Sequence, residues 1–218
     1  MRYQFEGRLC RLEPLRADAH AVTLHDEHIV EKEGRNWTYL SYGPFDSASE
    51  YRAWVEGREL IDDPIFYAIL LLPDSRPVGV ASYLRIDAKM GVIEVGHLSY
   101  SPALQRTSAS PEALYLMMRH AFEDLGYRRY EWKCDTHNHP SRNAALRLGF
   151  RFEGIFAQAV VMKGRNRDSA WYSITDREWP EVRSALKRWL DPNNFDADGQ
   201  QRVRLESFLE AREKRDWG

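Results

Sequence analysis

The chain has 218 residues, 43% apolar and 29% charged, enough apolar material for a sizeable core in one domain with an appendage and too much for a disordered chain. Lys and Arg number 31 against 33 Asp and Glu, a formal net charge of −2, so the chain carries no overall basic field and no nucleic-acid partner is expected. Cys10 and Cys134 lie far apart, cannot make a disulfide scaffold, and point to a reducing, cytoplasmic setting. Arg2, Glu6 and Arg8 interrupt the first ten residues, so no secretion signal is expected there. The longest apolar run, residues 65–72, falls far short of the roughly 20 residues that span a bilayer. A soluble protein with no membrane partner is expected.

Residues 8–12 read as a first strand and 17–26 as a helix, followed by a polar stretch with Glu31, Lys32, Glu33 and Gly34. An aromatic segment with Trp37, Tyr39, Tyr42 and Phe45 comes next. Ser47 and Glu50 form a capping box that opens a helix with Tyr51, Trp54 and Val55 on its inner side. Residues 65–72 and 78–86 are β-rich and separated by Pro73, Asp74, Ser75 and Arg76, which predicts an antiparallel hairpin, and a third strand follows at 92–100. Leu114, Met117, Met118, Ala121, Phe122 and Leu125 recur with helical period, and Gly126 supplies a stop. A strand at 130–134, a short helix at 141–148 ended by Gly149, and β-rich segments at 150–163 and 169–174 complete the series, with Gly164 to Asp168 as a polar loop between the last two. Beyond Trp179 the pattern is helical, with Val182, Leu186, Trp189 and Leu190 on one side; then come a polar break at 191–200, read as a hinge or linker, and a last amphipathic helix at 203–214.

The chemistry concentrates in the strand, loop and helix of residues 92–126. Ser110 is placed to cap that helix and Pro111 suits its first position, so the free N–H groups of the first turn make an anion site. His137 and His139 have no cysteine or carboxylate cluster at ligand spacing, and no metal is expected.

Residues 93–113, followed at 138–150 by Asn138, Ser141 and a closing Leu-Gly-Phe, resemble the two core motifs of GNAT N-acetyltransferases, in particular the RimJ/RimL type. The resemblance runs from about residue 8 to residue 174. It implies an α/β (α+β) fold, with a mixed, mostly antiparallel sheet flanked by helices, as an acetyltransferase domain over 1–176. Residues 177–218 are then a C-terminal helical appendage that packs on the domain or on a homodimer partner. It also implies acetyl-CoA as co-substrate and direct transfer of its acetyl group to a primary amine, either a protein N-terminus or a small molecule. The pyrophosphate loop of the family corresponds to Gln105, Arg106, Thr107, Ser108, Ala109 and Ser110, with serine at both positions where the pattern has glycine. A non-catalytic acyl-CoA-binding or interaction module on the same fold is the alternative.

The resemblance assigns the oxyanion donor to backbone N–H near Leu98 and the pantetheine contacts to Ser99, Tyr100 and Asn138. Glu94 takes the place of the general base, with His97 as second choice, and Ser141 is the proton donor to the departing sulfur, with Tyr100 behind it. Trp37, Tyr39 and Tyr42, with Trp54 and the acids Asp46 and Glu50 nearby, fall on the acceptor side. The arginines of 164–168 offer contacts for an acidic substrate. Cys134, in a strand with no base patterned beside it, reads as a small buried residue rather than a nucleophile.

Overall fold

The run Ile65–Leu71 is apolar at every position, and such a strand needs cover on both faces. It forms β3, with Phe66, Ala68 and Leu70 turned to one core layer and Tyr67 and Ile69 to the other. The computed structural model describes residues 3–209. Around β3 stand β1 (Phe5–Glu6), β2 (Cys10–Pro14), β4 (Arg76–Asp87), β5 (Val92–Tyr100), β6 (Arg129–Asp135), β7 (Arg151–Met162) and β8 (Arg165–Thr175). They make one eight-stranded sheet in the order β1-β2-β3-β4-β5-β6-β8-β7. Every pairing is antiparallel except β5 with β6, and a parallel pair requires a crossover.

α3 (Ala109–Arg119) supplies that crossover and, with α4 (His139–Arg147) and α5 (Trp179–Trp189), covers one face of the sheet. α1 (Ala17–His28) and α2 (Ala48–Glu56) cover the other, over β3 and β4 only. The second face is therefore open over β6, β8 and β7. The mixed, mostly antiparallel sheet flanked by helices that the sequence leads one to expect is observed, and no helix among the described residues is long and apolar enough to cross a membrane.

Several local expectations change. The first strand is Cys10–Pro14 rather than 8–12, preceded by the two-residue β1. α3 begins two residues earlier than Ser110 implies: Ser108 sits at the N-cap without a side-chain cap bond, Ser110 is inside the first turn, and Pro111 is the third helical residue. The helix finishes in a π-helical turn, His120–Asp124, before Gly126 at φ +69°. α4 is capped by Asn138, whose side-chain oxygen accepts from Ser141 N–H, so Ser141 lies inside the helix. β8 takes in most of the expected loop 164–168, leaving Lys163 and Gly164 as its turn.

The stretch 191–200 is folded rather than a linker. Asn194 is buried, donates to Trp189 O and Val203 O, and accepts from Val203 N–H, while Trp189 Nε1 donates to Gln201. Leu205 and the apolar side of α5 join the same core as α3. Of the expected last helix, the described part is the 3-10 turn Leu205–Phe208, and residues 210–214 lie outside the described residues.

Candidate active site

β5 and β6 run side by side only at Val92–Val95 against Arg129–Trp132. Both strands continue, β5 to Tyr100 and β6 to Asp135, with no further pairs between them. On the other side of β5 the register against β4 breaks between Ser82/Gly96 and Val80/Ser99. That bulge carries His97 at φ +50°, a left-handed conformation that costs a non-glycine residue about 1 kcal/mol or more. A bulge bends its strand, and here the bend opens a wedge between β5 and β6 whose N–H and C=O groups lack strand partners. α3 follows β5 and α4 follows β6, so both helix N-termini stand at the mouth of the wedge.

The loop that feeds α3 is tightly held. Ser101 is buried, its N–H donates to Val78 O, and its carbonyl accepts from Leu104 and Gln105. Leu104 fills the space left by Gly79, where a Cβ would meet Leu104 Cδ2 at 2.6 Å. Thr107 Oγ1 donates back to Leu104 O, and Gln105 Nε2 donates to Tyr100 O and to Asn36 Oδ1. The left-handed residue is Arg106, at φ +61°, whereas Ser108 is in the right-handed region at φ −71°. The backbone thus needs no glycine at Ser108 or Ser110. No backbone acceptor meets the N–H groups of Ser108, Ala109 or Ser110 among the described residues. Free amides at a helix start suit a diphosphate, so this loop fits the co-substrate that the motifs imply.

At the other edge of the wedge, Trp132 Nε1 donates to Ser141 Oγ at 3.0 Å, which occupies a lone pair and leaves the Ser141 O–H to donate elsewhere. Asn138 is engaged as the α4 cap. Cys134 lies beside Ser141, and burial pushes its thiol upward, which argues against a nucleophile. Leu98 and Tyr100 pack on the α3 side, where burial drives the Tyr100 phenol far above its ordinary range. Ser99 is buried on the α1 side, its hydroxyl 3.3 Å from His28 Nε2.

Glu94 lies on the open face of β5 and is 3% exposed. Arg85 Nη1 is 2.7 Å from its Oε1 and Lys133 Nζ 2.8 Å from its Oε2. Lys133 also bridges to Glu131 and stands 3.8 Å from the ring centre of Trp171. His97 is stacked on Tyr42 and packed against Phe66, and burial, aided by Arg85, Arg58 and Arg167, holds it neutral with a pKa of about 4. It is therefore a weak base at neutral pH.

The acceptor-side aromatics divide. Trp37 is a core residue, 6% exposed between His28, Phe45 and Tyr51. Tyr39 Oη donates to His137 O across the mouth of the wedge, and Tyr42 bridges Trp54 and His97. Glu50 is occupied at the start of α2, its N–H donating to Ser47 Oγ and its carboxylate accepting from Asp46 N–H. No local pattern marks Lys163, whose Nζ donates to the carbonyls of Trp37, Tyr42 and Gly43 and fastens the α1–α2 connection to the β7–β8 turn. Glu112 is equally unmarked in the sequence. Its buried carboxylate accepts from the N–H groups of Arg8, Leu9 and Cys10.

A sheet opened between its parallel strands, with an amide-rich helix start at the opening, makes a cleft fitted to a diphosphate-bearing co-substrate. A family model for the GNAT acetyltransferase domain matches residues 9–151, and the chain belongs to that family. It is similar to a GCN5-related N-acetyltransferase from Brucella melitensis, at 44% identity over 96% of this chain and 95% of that one, with a TM-score of 0.94. More distant relatives are the ribosomal-protein-serine acetyltransferase of Escherichia coli, 24% identical over 65% of this chain and 77% of that protein, and the uncharacterized N-acetyltransferase YokL of Bacillus subtilis, 26% identical over 61% and 73%. The chain is thus a GNAT N-acetyltransferase with distant relatives of the RimJ/RimL kind, and its family implies acetyl-CoA as co-substrate.

Proposed function

We propose that the protein moves the acetyl group of acetyl-CoA directly onto a primary amine in the wedge between β5 and β6. The observation that carries this reading is the parting of the two strands after Val95 and Trp132, with unbonded amides of α3 at its mouth. Acetyl-CoA supplies an activated thioester. Free amides at Ser108, Ala109 and Ser110 hold the diphosphate, with the side chains of Gln105, Arg106 and Thr107 shaping the loop. Leu98, Ser99, Tyr100 and Asn138 border the pantetheine. Backbone N–H near Leu98 faces the negative charge that develops on the carbonyl oxygen. The Ser141 hydroxyl, with its oxygen already taken by Trp132, donates a hydrogen bond that stabilises the departing thiolate, which takes its proton from solvent.

Glu94 takes the amine's proton through water, held in place by Arg85 and Lys133. Positive charge around the amine favours its neutral, nucleophilic form. The acceptor enters by Tyr39 and Tyr42, over a floor that Trp37 supports from the core. The two buried free cysteines suit a cytoplasmic setting. Assembly as a homodimer belongs to the same reading, with β7 rather than the C-terminal segment as its surface.

The first test is the melting temperature with acetyl-CoA at 100 times its dissociation constant, which adds about 2.7 kcal/mol. A rise of roughly 5 to 10 °C is expected at this chain length, followed by CoA release with a panel of amines. No shift with acetyl-CoA, CoA or longer acyl-CoAs overturns the reading.

A further inference from the structure

Around His97 the structure leaves hydrogen-bond donors without acceptors. The Tyr42 hydroxyl, Trp54 Nε1 and Arg167 Nε are all enclosed by protein and all lack a hydrogen-bond partner. They cluster with the bulge: the rings of Tyr42 and Trp54 are 4.4 Å apart, Tyr42 is 5.6 Å from His97, and Arg58 lies 5.5 Å from the centre of the Trp54 ring. Arg167 approaches from β8, just past the last β6–β8 pair, Asp135 with Ser169, and its charge reaches both His97 and Cys134.

The local charge balance has the same sense. Glu94 is already matched by Arg85 and Lys133. Asp168 accepts from Gln158 N–H and Asn166, and Asp135 from His137. Neither Arg58 nor Arg167 has an acidic partner among the described residues. An indole N–H and a guanidinium can only donate. Buried donors without acceptors are costly, and a ligand that brings oxygen acceptors and negative charge satisfies them together.

We propose that the acceptor is a small amine carrying a carboxylate, and that Arg167 and Arg58, with the donors of Tyr42 and Trp54, bind this carboxylate on the open face beside His97. The inference rests on the acetyltransferase reading and narrows its substrate class. Such a site takes up the acceptor as an anion with a neutral amine, since surrounding cations disfavour the ammonium.

The test compares α- and ω-amino acids with their carboxamides, which differ only in the acidic group. With acetyl-CoA saturating, kcat/KM for the acids should exceed that for the amides by about tenfold or more, the size of a lost charge-assisted contact. Arg167→Gln and Arg58→Gln should each shrink that ratio through KM while leaving the acetyl-CoA melting shift unchanged. Calorimetry with the CoA-loaded protein reads the same pairs as binding, independent of turnover. Equal kcat/KM for acids and amides, or a ratio unmoved by Arg167→Gln, overturns the inference and leaves the transferase reading standing. Calorimetric binding of acids over amides with no product from any amine supports the carboxylate site and overturns the transferase reading. Binding of neither member of any pair overturns the inference.

Discussion

Glu94 shows how much of the site can be read from one position. Its place on the strand follows from the residue order and the motif around it, whereas which face lacks helices does not. The two cations that grip it come from Arg85 on β4 and Lys133 on β6, and no spacing within β5 announces them. Replacing Glu94 with Gln leaves those cations without their shared carboxylate. Turnover at neutral pH should fall by about tenfold or more with the acetyl-CoA melting shift nearly intact, and should recover in part at higher pH as the amine loses its proton unaided. A variant with unchanged kcat would remove Glu94 from proton transfer. His97 was harder to read, because its left-handed backbone depends on the bulge against β4, and its neutral state on burial under Tyr42 and Phe66.

Elements with a strong period were legible from the sequence. β5 reads from the sequence at its observed bounds, and Ser47 starts α2 by accepting from Glu50 N–H. Elements whose boundaries depend on distant partners were not. β1 is two residues long and exists by pairing with β2, and the start of α3 is set by the anchored loop before it rather than by Ser110. Glu112 reads as an ordinary first-turn acid, yet it is 5% exposed and serves the N–H groups of the β1–β2 connection. Glu112→Ala should strand these three amides and cost about 3 kcal/mol. The check is a lowered urea midpoint at unchanged slope, with Glu112→Gln intermediate; an unchanged midpoint would mean that water replaces the carboxylate.

For the molecule as a whole, the described part of the C-terminal segment packs on the domain. α5 turns Val182, Leu186 and Trp189 into the core shared with α3, and Leu205 follows, so the amphipathic stripe that suggested a subunit interface is satisfied within the chain. One exposed apolar stretch among the described residues lies on β7, the last strand of the sheet, where Ile155, Phe156 and Val161 are 51%, 54% and 77% exposed. A long apolar edge strand is a hazard for a monomer. Light scattering at micromolar concentration should therefore give twice the chain mass of 25.5 kDa, and a monomer would end the case for a dimer.

The Glu112 clamp also bears on how the polypeptide is made. Its bond to Leu9 joins residues 103 positions apart, whereas β2, β3, β4 and β5 pair as successive neighbours in the sheet. During synthesis at about 5 to 20 residues per second, the first strands can therefore assemble while their leading connection still has bare amides. Those amides are secured only when the start of α3 has left the ribosome, so the opening of the chain and the first turn of α3 become fixed in the same moment, before β6 and α4 exist to complete the wedge.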